Sequence, residues 1–324
     1  MPATEDLSNT SSAAAAQPRT QAERAPLVTA RDLLLLFYLY PAQFFLKYLP
    51  RDVLYRMGRV CEPLLQFHYR SWRKKVETRM LQLAANITPE QAPRYARELV
   101  RGSIFRLLDD VVINRPSFLK ETNCTEHSGV EYLDAAKSAG KGVLLLTCHF
   151  YPNRLARRYL AARGWPMLIV RLYGPSEDLE GRLTGRFLRP RLMNFLRDVI
   201  QDEVYAQDPG CTLKVLQRLR SGGLVMITPD GRHGARTVQS QLLGVPRQFS
   251  SGLLDIVRLS GCAVVPMLCF GCSSNLRIVF SPALDIVKTS TRDEFVSANL
   301  PLFIRVLEQQ IRGNPAQWTL WAGI

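Results

Sequence analysis

No stretch of this chain is apolar for long enough to cross a bilayer unbroken. The nearest approach is Leu33 to Leu49, LLLLFYLYPAQFFLKYL, interrupted by Pro41 and Lys47. As a helix it would reach only about 25 Å, short of the roughly 30 Å hydrocarbon core. It begins too far along, and lacks a clean small-residue cleavage site after it, to read as a signal peptide. Metal-ligand spacing is missing as well. Cys269 and Cys272 form a CxxC, but no second pair stands at zinc distance, so neither a metal nor a cofactor is expected. The seven cysteines (Cys61, Cys124, Cys148, Cys211, Cys262, Cys269, Cys272) are odd in number and scattered. They read as buried free thiols of a reducing compartment, not as a disulfide framework. Acidic residues are outnumbered, Asp+Glu 28 against Lys+Arg 42, for a formal charge of +14. That excess calls for an anionic partner: nucleic acid, an acidic membrane surface, a phosphorylated lipid or an acidic carrier protein. No RNA-recognition signature, zinc finger or helix-turn-helix pattern accompanies it, and nucleic acid is not expected.

What is present is a chain of 324 residues, 47% hydrophobic and 22% charged, enough for one large α/β domain or two smaller ones. Residues 1–28 are rich in Ala, Ser, Thr, Gln and Pro and read as a disordered tail. Residues 29–62 form an apolar, membrane-associated helical region. The sequence leaves open a kinked inserted or interfacial helix and a buried core helix; four leucines beside Tyr and Phe, followed by Lys47, Arg51, Arg56 and Arg59, favour membrane contact. Residues 63–128 read as helical. They include the basic segment HYRSWRKKVE (68–77) and two helical patterns, Val76 to Leu83 and Glu90 to Leu108. Thr88 to Gln91 mark the start of the second, and Arg94, Arg97, Arg101 and Arg106 form its solvated face.

From residue 129 to 324 helical and strand patterns alternate. Strands are expected at Val143–Thr147, Pro166–Val170, Leu224–Thr228, Ala263–Cys269 and Leu276–Phe280, with a short one around Val199 and Ile200. Helices are expected at Val130–Ser138, Asn153–Ala162, around Arg182, Arg186, Arg189 and Arg191, and at Thr212–Arg220, Leu253–Leu259 and Asp293–Arg312. This is an α/β core: a mixed, largely parallel sheet covered by helices. Its organising stretch is GKGVLLLTCHFYPNR (140–154), where a buried strand delivers His149 to the sheet rim and Pro152 opens the next helix. His149, Arg171 and Asp230 all stand at strand ends, where α/β sheets gather their sites. Taken alone, Asp230-Gly231 is a plain turn.

The order of GKGVLLLTCHF, LIVRLYGP, LRSGGLVMITPDGRHGAR, LLGVPRQFSSGLLDIVRLSGCAVVPM and NPAQWTLW resembles the lysophospholipid acyltransferase superfamily. Within it the chain is most similar to the lauroyl/myristoyl acyltransferases of bacterial lipid A biosynthesis, over roughly residues 30–324. The resemblance implies transfer of an acyl chain from acyl carrier protein or acyl-CoA to a lipid hydroxyl, at the cytoplasmic face of the inner membrane. It implies an α/β fold with a membrane-docking N-terminal helix, and it makes His149 the general base.

One position departs from the pattern. The family's histidine is followed five residues later by Asp or Glu, which orients the imidazole, and here Arg154 stands there. A guanidinium near His149 would penalise the imidazolium. Three readings stay open: Asn153 orients the ring, Asp230 supplies the carboxylate from another strand, or the chain binds lipid or carrier protein without normal turnover. With Arg154 itself assigned to the substrate side, the resemblance places Arg171 near the acceptor's phosphate and Asp230, Gly231, Arg232 and Gly234 along the acceptor and oxyanion side. Gly244, Pro246, Ser251 and Gly252 would form a loop that helps shape the acyl or substrate groove. Trp318 and Trp321 read as packing or interfacial anchors.

Overall fold

The computed structural model describes residues 28–84, 86–171, 187–188, 191, 202–231 and 236–323. The tail expected over residues 1–28 lies outside them except for its last residue, and the helical expectation at Arg182, Arg186 and Arg189 and the strand at Val199 and Ile200 lie outside them altogether. The chain divides into two compact units: Met1–Phe45 with Gly174–Arg197, and Leu46–Tyr173 with Asp198–Ile324.

In the first unit, helix α1 (Ala30–Phe37) loosens into a π-helical turn at Tyr38–Ala42 and resumes as α2 (Gln43–Leu46), whose last residue opens the second unit. Pro41 sits inside that turn, where its missing N–H and bulky ring break the regular ladder. Thr29 starts α1, accepting from the Asp32 N–H at 3.2 Å while Asp32 takes the Thr29 N–H in return. Leu33, Phe37, Phe44 and Phe45 are exposed. Among the described residues no helix is long and apolar enough to cross a membrane.

The second unit begins with three helices, α3 (Arg51–His68), α4 (Arg70–Leu83) and α5 (Gln91–Ile113). Thr88 and Gln91 exchange side-chain and backbone hydrogen bonds ahead of α5, the reciprocal cap its sequence announces. Arg94 and Arg101 lie on the solvated face, paired with Glu98 and Glu62. After α6 (Phe118–Glu121) come β1 (Cys124–Ser128), α7 (Val130–Ser138), β2 (Val143–Leu146), α8 (Asn153–Ala162) and β3 (Met167–Arg171). Next are β4 (Glu203–Tyr205), α9 (Cys211–Arg220), β5 (Leu224–Ile227), the hairpin β6 (Thr237–Leu242) and β7 (Val245–Ser250), and α10 (Gly252–Ser260). The unit closes with β8 (Ala263–Phe270), β9 (Leu276–Phe280) and α11 (Arg292–Gly313).

The seven-stranded sheet runs β1-β9-β8-β2-β5-β3-β4. Every neighbouring pair is parallel except β8 with β9. Strand β2 lies centrally and is buried on both faces, which is why its sequence is uninterrupted VLLL. Leu144 and Leu146 enter one core with α9, α10 and α11; Val143 and Leu145 enter the other with α7 and α8. Gly142 introduces β2 at φ +69°, and a Cβ there would stand 2.2 Å from the Leu219 carbonyl oxygen. Only glycine combines that backbone with that approach.

Strands β1, β4, β6 and β7 are additions to the expected set. Their sequences, CTEHS, EVY, TVQSQL and VPRQFS, are polar or short, because β1 and β4 are sheet edges and the hairpin is half-exposed. At Gly244 and Pro246 the expected loop is instead a hairpin. Leu243 (φ 55°) and Gly244 (φ 78°) form its two-residue turn, and Pro246 lies within β7. The cysteines hold two corrections too: Cys61 of α3 is exposed and Cys124 of β1 is half-buried, whereas Cys148, Cys211, Cys262, Cys269 and Cys272 are buried thiols.

Candidate active site

Strands β2 and β5 are parallel neighbours with Leu146 opposite Ile227. Carried three residues onward, that register sets His149 beside Asp230. The chain bonds Thr147 N–H to the Ile227 carbonyl and then diverges, so both residues emerge together at the carboxyl ends of the central strands.

The Asp230 carboxylate is fully buried and, among the described residues, accepts three hydrogen bonds. His149 Nδ1 lies 2.6 Å from Oδ1; the His149 backbone N–H at 2.8 Å and the Trp318 indole N–H at 2.7 Å both reach Oδ2. Burial opposes its charge, but His149 and these donors outweigh burial and hold the carboxyl below the usual range. For His149, burial likewise disfavours the imidazolium, and the Asp230 charge and hydrogen bond overcome it, so the pKa is raised. The Asp230 contact sets the neutral tautomer with hydrogen on Nδ1, leaving the lone pair on Nε2. The His149 side chain is 39% exposed, and the Thr228 hydroxyl lies 3.4 Å from Nε2. Gly231 adjoins the ring, since a Cβ there would meet His149 Cε1 at 3.5 Å. Arg247 of β7 donates to the Asp230 carbonyl at 3.1 Å.

The arrangement is a partly exposed histidine whose Nδ1 is held by a buried carboxylate and whose Nε2 faces the Thr228 hydroxyl. The bacterial lipid A biosynthesis acyltransferase family model matches residues 111–322, a span holding every residue of this site. The chain belongs to that family. A comparison with curated proteins finds no match. The family's class of reaction is acyl transfer to a lipid, and an alcohol attacks an acyl group poorly until its proton is removed.

Against this family frame, several expected roles are redistributed. Asn153 does not orient the ring: its amide nitrogen donates to the Cys148 carbonyl at 2.7 Å and its oxygen accepts from the Cys269 thiol at 2.7 Å. Asn153 thus braces the turn at the first residue of α8, and the carboxylate at the ring is that of Asp230. Arg154 pairs with Asp110 of α5, both side chains being nearly buried. The cations that oppose protonation of His149 are Arg247 and Arg157. Arg171 does not stand free for a phosphate, for its Nη1 lies 2.8 and 3.0 Å from the two carboxylate oxygens of Glu203 on β4. Arg232 and Gly234 lie outside the described residues. Ser251 and Gly252 meet the start of α10, where the Ser251 hydroxyl accepts from Arg292 at 2.9 Å.

Trp318 was missed as a site residue. Both tryptophans are buried and meet edge to face, centroids 4.9 Å apart, so the packing expectation describes them. Trp318 does more, through its indole N–H on Asp230; the only sequence signal is that indole carries a donor which must find a partner when buried. Cys269 and Cys272 donate separately, to Asn153 and to Asn275. Among the described residues no group of three or more His, Cys, Asp or Glu is gathered to hold a metal.

Proposed function

We propose that this protein transfers a fatty acyl chain from an acyl carrier protein or acyl-CoA thioester to a hydroxyl of a lipid acceptor, with His149 as general base and Asp230 as its orienting carboxylate. The observation that carries this reading is the 2.6 Å contact between His149 Nδ1 and the buried Asp230, which turns Nε2 outward. Nε2 takes the acceptor's hydroxyl proton as the oxygen attacks the thioester carbonyl. The tetrahedral intermediate then collapses, and the departing thiolate takes the proton back from the imidazolium. Asp230 stays ionised throughout and stabilises the transient cation. Arg154 favours the second reading, binding of lipid or carrier without turnover; Asp230 at the ring argues against it.

The place of the reaction is an anionic membrane surface, on the cytoplasmic face of the inner membrane. Support comes from α3, where Val53, Met57, Val60, Leu64 and Phe67 recur at alternating spacings of four and three and are exposed, with exposed Arg56 and Arg59 beside them. A helix of this pattern lies in the interface, apolar stripe inward and basic flank toward acidic headgroups. In the domain organisation we propose, attachment begins in residues 29–62 and continues along α3 to Phe67, the rest of 63–128 is helical except for strand β1 at its end, and 129–324 carry the chemistry.

The test is transfer from an acyl thioester to a lipid acceptor by the purified protein, with lipid mass spectrometry of cells with and without the gene to identify the acceptor. His149→Ala is expected to lower transfer by about 10²- to 10⁴-fold. Unchanged transfer in that variant would remove His149 as the base, and binding without transfer by the wild type would establish the second reading.

A further inference from the structure

Beyond α11 the chain reverses at Asn314 to Gln317 and returns along the segment that holds His149. Phe150 and Trp318 form an antiparallel bridge, and the Tyr151 N–H donates to the Gln317 carbonyl at 3.3 Å. Thr319 donates twice to the His149 carbonyl, from its backbone N–H at 3.0 Å and from its hydroxyl at 2.9 Å. The adjacent Trp318 donates its indole N–H to Asp230 Oδ2 at 2.7 Å. Two consecutive residues therefore hold the two members of the dyad, each by a different group.

We infer that Trp318 and Thr319 are positioning residues of the His149–Asp230 pair, Trp318 fixing the carboxylate and Thr319 the histidine backbone. The inference rests on the reaction proposed above only where activity is the readout. Phenylalanine would fill most of the space of Trp318 without supplying a donor, so Trp318→Phe separates the N–H from bulk. A carboxylate buried this completely keeps its charge only while donors replace the water it has lost. Oδ1 is committed to the imidazole, and of the two donors on Oδ2 one is the backbone N–H of His149 itself. Among the described residues, Trp318 supplies the one bond to this carboxylate that comes from outside the dyad.

Trp321 is the internal control. It is equally buried and meets Trp318 edge to face, but its N–H donates to the Pro315 carbonyl at 2.8 Å and not to either member of the pair. Among the described residues, the other charged or titratable groups facing the pair are Arg247 of β7, Arg157 of α8 and the Cys148 thiol, and none of them changes in the comparison.

The experiment compares wild type, Trp318→Phe and Trp321→Phe by two readouts. The first is the pH titration of the His149 ring by nitrogen NMR, assigned by the signal lost in His149→Ala. The second is the pH dependence of kcat and KM for acyl transfer. Trp318→Phe is expected to move the lower titration step of the pair upward by about one pH unit, a tenfold rise in its proton affinity, and to lower kcat with little change in KM. Trp321→Phe is expected to lower the melting temperature and leave the titration in place. If Trp318→Phe fails to fold, 3-benzothienylalanine at position 318, which replaces the N–H by sulfur in the same ring shape, takes its place. Equal losses of stability in the two variants with an unmoved His149 titration would reduce Trp318 to packing and overturn the inference. A wild type without acyl transfer would sink the proposed reaction, while the NMR comparison would still decide the role of Trp318.

Discussion

Arg154, at the position where the resemblance calls for an acid, donates to the carboxylate of Asp110 from the first turn of α8. The pair joins α8 to α5, and the cation that would oppose the chemistry is held by its own counter-ion while Asp230 supplies the carboxylate at the ring.

Restoring the family's acid should therefore harm the protein. Arg154→Glu places a second carboxylate against Asp110, whose carboxyl is already raised by burial, with Arg154 the first charge opposing that rise. Breaking a buried pair costs about 3–5 kcal/mol, whereas Asp110→Leu combined with Arg154→Met removes both charges and should recover most of the loss. Urea denaturation of the singles and the double measures this. A fully stable and more active Arg154→Glu would contradict it.

Asp230→Asn tests the orienting carboxylate without emptying its space. The amide offers one acceptor oxygen where two are used, and it favours the wrong tautomer of His149. By analogy with orienting carboxylates elsewhere, transfer should fall on the order of 10⁴-fold. Steady-state kinetics on folded protein reads the effect, and a loss below tenfold would reassign Asp230 to structure.

The pH dependence has a definite sign. A base works when neutral, so kcat/KM should rise with pH through a midpoint above the ordinary histidine value of about 6.5, because Asp230 outweighs burial at His149. In Asp230→Asn burial, together with the Arg247 and Arg157 charges, is no longer opposed by a carboxylate, and the midpoint should drop. For folding, the raised His149 pKa contributes stability below about pH 6.5 that is lost as pH rises through the folded value. The depressed Asp230 pKa contributes stability above about pH 3.9 that is lost as pH falls through its folded value. Chemical denaturation across that window checks both directions.

Membrane attachment should depend on the exposed stripe of α3. Val60→Asp with Leu64→Asp alters two of its most exposed apolar residues, 79% and 71% accessible, and should cost little stability. Co-sedimentation with vesicles rich in acidic lipid is expected to fall at least tenfold, and raised salt should weaken wild-type binding by screening the basic flank. Equal binding of the variant would place attachment elsewhere.

Central and edge parts of the fold were not equally legible. The continuous apolar runs of β2, β5 and β8 announce strands buried on both faces, and α7 and α8 follow from helical periodicity almost to the residue. CTEHS of β1 and EVY of β4 carry no such pattern, because an edge strand needs backbone partners more than apolar side chains.

The same division runs through the site. From its sequence alone the chain is determined to be an α/β protein that brings His149 to a strand end, since local burial and periodicity are written in neighbouring residues. Only the tertiary structure decided between Asn153 and Asp230 as the group at the ring, gave Arg154 its partner in Asp110, engaged Arg171 with Glu203, and brought Trp318 to the carboxylate. Those outcomes depend on strand register and on contacts between residues 32 to 88 positions apart, except for the local Asn153 bond, whose direction also follows from how its turn packs against β8. A side chain's type states what bond it can make; where the chain places its neighbours decides which bond it does make.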